Sequence, residues 1–140
     1  MTGRDLVAAF IASPESRNRG VAAGIRSSFE QVDVAGLRMW VSSEDWAVGR
    51  IVLGARSYEA PVTDPLCGPL EPGGVFVDVG PNIGWFSLRA AKAVGPQGKA
   101  FAFEPNAHNC AFLPASAQDN ALRNVTPRPM ALGSEPGLVM

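Results

Sequence analysis

The sequence predicts an α/β protein built on the amino half of a doubly wound parallel sheet, and three observations carry that prediction. Residues 75–88, VFVDVGPNIGWFSL, read as a strand running through a tight turn into a helix. From Val75 onward the chain alternates strand, helix, strand, helix, strand, the pattern of parallel strands joined by crossover helices. The last strand carries Pro127 and Pro129, two residues apart, so both missing amides lie along the same side and this strand must close one edge of the sheet.

Each element has its own signals. Val75 to Val79 is an apolar run with one late acid, the mark of a strand buried on both faces. Residues 84–94 place Phe86, Ala90, Ala93 and Val94 on one helical stripe, and Gly95-Pro96 ends the helix. Lys99 to Phe103 forms the second strand, with Glu104-Pro105 at its carboxyl end. Residues 106–119 form a second helix capped by Asn106, in which Pro114 should kink or split the chain at a cost of roughly 3 kcal/mol. Val125 to Met130 is the third strand. Right-handed crossovers give the spatial order third, second, first, and leave one edge of the first strand unpaired.

Upstream, Asp5 caps a short helix whose Leu6, Val7, Phe10 and Ile11 share a face, stopped by Ser13-Pro14. Residues 29–41, FEQVDVAGLRMWV, alternate around Ala35-Gly36 and predict a hairpin, expected to serve as a lid or side ribbon. Ser43, Glu44 and Asp45 open a further helix that Gly54 closes, and Ser57 to Gly74 reads as linker. The organisation is thus a helical and hairpin region over 1–70 and the sheet region over 71–140. The chain stops at Leu138-Val139-Met140 as it enters another element, which predicts a fragment or a shortened reading frame.

Bulk properties narrow the function. With 140 residues and 46% hydrophobic content there is one domain's worth of core. A net charge of −1 without a basic cluster argues against nucleic acid and against an anionic membrane as partner, and favours a small molecule. Cys67, Cys110 and the single histidine, His108, have no metal-ligand spacing, so no metal is expected. Two cysteines without redox spacing and an apolar run at MTGRDLVAAFIASPES too short for a signal segment predict a reduced, cytoplasmic setting.

In open α/β sheets, ligands sit beyond the carboxyl ends of the strands, which here carry Asp78, Gly80, Asn82, Gly84, Glu104 and Ala131-Leu132-Gly133. Counted from Gly80, Asn82 and Trp85 occupy the other glycine positions of a nicotinamide-type turn, and no Gly-Lys-Ser/Thr follows for a phosphate loop. The spacing that holds is Asp-x-Gly-x-x-x-Gly with an acid one strand later. It suits a ligand with an amino acid at one end, a ribose in the middle and no phosphate, and S-adenosylmethionine is such a ligand. Asp78 would accept from its ammonium group, Gly80 would let the backbone approach, and Glu104 would accept from both ribose hydroxyls. Ala131-Leu132 would flank the adenine. Asp78 can also merely cap the turn, and Glu104 can simply sit at a helix amino terminus.

The segments VFVDVGPNIGWFSLRAA, KAFAFEPNAHN and NVTPRPMALGSEPG, with YEAP at Tyr58 to Pro61 upstream, resemble the FkbM-type family of S-adenosylmethionine-dependent methyltransferases over roughly residues 30–140. The resemblance implies a Rossmann-like class I methyltransferase fold, S-adenosylmethionine as cofactor, and O-methylation of small molecules or sugars. The expected cofactor-binding set is Asp78, Gly80, Asn82, Ile83, Gly84, Glu104, Pro105, Ala131 and Leu132. Pro81 stands where the family usually has alanine. The family's later half, with its Asp-x-Glu-Gly segment, does not occur in these residues, so catalytic residues are expected beyond Met140. The alternative reading is a non-catalytic binding or interaction module whose open strand edge pairs with another chain, including a second copy of itself.

Overall fold

The computed structural model describes residues 29–137, and the short helix expected near Asp5 and the element expected at Leu138–Met140 lie outside them. Element order is β1 (Phe29–Val34), β2 (Leu37–Ser42), α1 (Gly49–Ala55), α2 (Ala60–Cys67), β3 (Val75–Val79), α3 (Trp85–Val94), β4 (Lys99–Phe103), α4 (Asn109–Asp119) and β5 (Val125–Arg128). Strands β3, β4 and β5 form a parallel sheet in that spatial order, with Val77 opposite Phe101 and Phe101 opposite Thr126. β5 is an edge strand, as Pro127 and Pro129 require. The Ala100 N–H donates to the Asn124 carbonyl and the Glu104 N–H to the Arg128 carbonyl, so the even-numbered residues face β4 and both prolines face outward.

Helices α3 and α4 cover one face of the sheet. Leu88 from α3, Ala102 from β4 and Phe112, Leu113 and Ala115 from α4 share one core. Pro114 does not split α4, which runs unbroken from Asn109 to Asp119. Burial of Phe112, Leu113, Ala115 and Ser116 on either side of the proline supplies the tertiary packing that outweighs its lost amide. The helix also begins later than expected, because the Asn106 side chain accepts the His108 N–H in a turn ahead of it.

Among the described residues β3 is not buried on both faces, contrary to expectation. Val75, Val77 and Val79 are 64%, 54% and 63% exposed, whereas Phe76 and Asp78 point to the helix-covered face. An apolar run identifies a strand whose two faces suit covering, but α3 and α4 lie on the same side, and among the described residues nothing covers the other.

The hairpin is no lid. It turns at Ala35 and Gly36, both at positive φ as a two-residue hairpin turn demands, and β2 is wedged between α1 and α4 with Met39, Trp40, Val41 and Ser42 buried. Side chains of α4 hold its backbone: Ser116 Oγ accepts the Trp40 N–H at 2.9 Å, and the Asn120 amide brackets Arg38, accepting from its N–H at 2.9 Å and donating to its carbonyl at 2.6 Å. Asp119 takes the indole N–H of Trp40 at 2.7 Å.

The segment read as linker contains α2, whose first turn accommodates Pro61 and whose interior tolerates Pro65. The helix expected from Ser43 starts only at Gly49, because the Asp45 carboxylate accepts the N–H groups of Ala47, Val48 and Gly49 and ties residues 45–49 into a capped turn. Gly54 lies inside α1, and Arg56 in the left-handed region ends it.

Candidate functional site

The turn between β3 and α3 is built from unusual backbone. Gly80, Asn82 and Gly84 all have positive φ, at 76°, 53° and 91°. At Gly84 glycine is obligatory twice over, since a Cβ there would also collide with the Leu113 side chain. At Gly80 a Cβ would meet nothing within 4 Å, so this exposed residue leaves open space beside the turn.

Asp78 and Glu104, one strand apart at the carboxyl ends of β3 and β4, are both anchored. Asp78 accepts the Ser87 hydroxyl at 2.6 Å, and Ser87 is fully buried in the first turn of α3. Burial pushes the Asp78 carboxyl above its ordinary value; the Ser87 hydrogen bonds oppose this, and the like charge of Glu104 adds to it. Glu104 is 7% exposed, and its two oxygens accept the backbone N–H of Asn82 at 3.0 Å and of Asn106 at 2.8 Å. It therefore ties the first turn to the loop after β4. Each of its oxygens keeps a second lone pair for a further donor.

The turn amides are mostly engaged within the protein: Gly80 N–H on the Phe103 carbonyl, Asn82 N–H on Glu104 and Gly84 N–H on the Pro81 carbonyl, while Pro81 has none. The Asn82 side-chain oxygen is buried without a hydrogen-bond partner among the described residues. Ile83 is 1% exposed and its side chain belongs to the core. Pro105 is exposed at the rim, and Ala131 and Leu132 are exposed in the segment after β5, two strands from Asp78. The fold thus brings Asp78, Gly80, Asn82, Gly84 and Glu104 into one constellation and places Ala131 and Leu132 farther along the same rim.

Sequence reasoning missed Ser87, the partner of Asp78, and the support beneath the turn. Trp85 donates its indole N–H to Thr63 on α2 at 2.9 Å, and Tyr58 packs edge-on against Trp85 and Phe86. The one legible signal for Ser87 was a hydroxyl residue at the third position of a helix led by glycine, facing the last acid of the strand. His108 packs against both Phe29 and Phe112, which also touch each other edge-on, and burial lowers its pKa. Cys110 donates to the Glu104 carbonyl at 2.9 Å, and burial raises its thiol to about 11. A cleft of about 500 Å³ lined by Lys92, Gln97, Lys99 and Arg123 lies at the amino ends of the strands, away from this constellation.

A parallel sheet in the order β5-β4-β3, crossover helices on one face and a glycine turn at the carboxyl end of its first strand form a Rossmann-like α/β arrangement. Trm5b from Pyrococcus abyssi shares this fold at a TM-score of 0.54 and 20% identity, over 76% of this chain and 29% of that one. An rRNA-methylase from Clostridium thermocellum aligns at 0.49 and 22% identity, over 51% of this chain and 39% of that one. A SAM dependent methyltransferase from Aquifex aeolicus aligns at 0.39 and 27% identity, over 47% of this chain and 33% of that one. The chain spans between 29% and 39% of the length of these structures. No family model matches the chain, and no curated protein matches it. Among the described residues no helix is long and apolar enough to cross a membrane.

Proposed function

We propose that this chain is the cofactor-binding half of an S-adenosylmethionine-dependent methyltransferase of the FkbM type, which methylates a hydroxyl of a small molecule or sugar. The observation that carries the reading is the convergence of two anchored carboxylates, Asp78 and Glu104, on a turn where Gly80 is left-handed, exposed and free of neighbours. These residues fit the cofactor. Gly80 leaves room for its amino-acid portion, and Asp78 and Glu104 offer their remaining lone pairs to an ammonium group and to the ribose hydroxyls respectively. Asn82 carries a buried carbonyl oxygen in want of a donor, and Ala131-Leu132 supplies an apolar flank for the adenine. When bound, the cofactor supplies an electrophilic methyl group on a sulfonium.

The protein's part is to hold and orient, a role for which a turn pinned at both ends by Asp78 and Glu104 is suited. A net charge of −1 without a basic cluster supports a small-molecule acceptor rather than a nucleic acid. The cofactor half would begin near residue 71, with residues 1–70 as an upstream region. A second reading has its own support. Because Asp78 and Glu104 already bind Ser87, Asn82 and Asn106, the same contacts serve a purely structural turn within a non-catalytic module, one whose free β3 edge pairs with another chain.

Calorimetric titration with S-adenosylmethionine, and separately with NAD, decides between them. The first reading expects saturable binding of S-adenosylmethionine alone, weakened at least tenfold in Asp78→Ala and Glu104→Gln chains that circular dichroism shows to be folded. No binding by a folded wild-type chain would sink it and leave the structural turn.

A further inference from the structure

One residue of α3 holds the Asp78 carboxylate. Gly84 occupies the N-cap position of that helix and has no side chain to accept a hydrogen bond, so the amides of the first turn need an acceptor from elsewhere. Asp78, at the end of β3, is that acceptor. Ser87, the third residue of α3, donates its hydroxyl to Asp78 Oδ2 at 2.6 Å, and its backbone N–H also reaches the carboxylate. The strand thus caps the helix in place of the missing side chain. We infer that Ser87 is a positioning residue of the candidate site: by donating twice to Asp78 it fixes the plane of that carboxylate for the ammonium group of the ligand's amino-acid portion.

The inference rests on the S-adenosylmethionine reading above and adds what prepares the amino-acid end of that site. A free carboxylate must be ordered when a ligand arrives, which lowers affinity, whereas one held in advance needs no ordering. Ser87 suits that role because it is itself fully buried, at 0% exposure. A hydroxyl 2.6 Å from a carboxylate oxygen makes a short, charge-assisted bond. Within a helix a serine hydroxyl ordinarily turns back to a carbonyl of the preceding turn; here it reaches across to the strand. Its influence is confined to one end of the site, since Glu104, which takes the ribose in this reading, is held by Asn82 and Asn106 and not by Ser87.

Calorimetric titration of the full 140-residue chain tests the inference, with S-adenosylmethionine and with 5′-methylthioadenosine, which keeps adenine and ribose but lacks the amino-acid portion. Wild type, Ser87→Ala, Asp78→Asn and the double variant are compared. Ser87→Ala should weaken S-adenosylmethionine by about fivefold or more and leave 5′-methylthioadenosine within about twofold. It should add no further loss in the Asp78→Asn background. Ser87→Cys, which fills the same space with a weak donor, should show the same pattern and serves if circular dichroism finds the alanine variant unfolded. Unchanged affinity for S-adenosylmethionine, equal loss of both ligands, or a loss that persists in the Asp78→Asn background overturns the inference and leaves the cofactor reading standing. A folded wild-type chain that binds no S-adenosylmethionine overturns that reading itself, and the inference with it.

Discussion

Replacing Glu104 removes the tie between the two loops of the site, and its cost can be worked from two hydrogen bonds. The Asn82 N–H lies in a half-buried turn and loses its acceptor outright, while the Asn106 N–H sits at an exposed residue where water can substitute. An unsatisfied buried donor costs about 1 to 3 kcal/mol and a donor that water can reach less than that, so Glu104→Ala should lose about 2 to 4 kcal/mol. For a domain of this length that is roughly 8 to 16 °C in melting temperature, a large share of a typical stability. Glu104→Gln keeps one acceptor but turns its NH2 toward the other donor, so it should lose at least half as much. Urea unfolding followed by circular dichroism reads the change as a lower midpoint at constant slope. A Glu104→Ala chain within 0.5 kcal/mol of wild type would refute the reasoning: the carboxylate would then not be holding the turn, and its role would have to lie with a ligand alone.

Further predictions rest on the same geometry. Gly84→Ala forces a side chain into the left-handed region and against Leu113, and should destabilise the chain by about 2 to 4 kcal/mol in the same urea assay, whereas Gly80→Ala, with no neighbour to strike, should lose only the conformational part, about 1 to 2 kcal/mol. His108 has a native pKa below 6.5 because burial disfavours its charged form, with Asp45 and Glu44 opposing. The unfolded chain therefore binds more protons between the two values, stability is lost as pH falls through that window, and His108→Gln should flatten stability measured from pH 7 down to pH 5. Cys110, with its thiol raised to about 11, and buried Cys67 should both resist Ellman's reagent at pH 8 in the native chain and react fully in denaturant; rapid native modification of Cys110 would contradict its placement against the Glu104 carbonyl.

The sheet half of the molecule was legible because its signals are local and redundant. The boundaries of β4, the helix end at Gly95 and the edge position of β5 each follow from a glycine, a proline or an alternation that needs no distant partner, as does the upstream turn at Ala35-Gly36. The positions of the candidate site residues were legible for the same reason, since strand ends and glycine spacing place Asp78, Gly80 and Glu104 before any packing is known. What misled were positions where a distant contact overrode a local rule. Pro114 should have split a helix, but burial around it holds the helix together. Pro61 and Pro65 suggested a linker, yet one stands in the first turn of α2 and the other within it, and Thr63 of that helix supports Trp85 beneath the site.

Fold class, strand order and the placing of Asp78, Gly80 and Glu104 at the carboxyl ends of β3 and β4 were determined by the sequence alone, because periodicity and turn chemistry act over a few residues. Only tertiary structure decided that the hairpin is core and not lid, since that depends on Ser116, Asp119 and Asn120 reaching it from more than 75 residues away. Only tertiary structure, too, gave Asp78 and Glu104 their backbone and hydroxyl partners and left Val75, Val77 and Val79 bare. An apolar strand records that its faces can be buried; which of them meets a neighbour depends on where the rest of the chain folds.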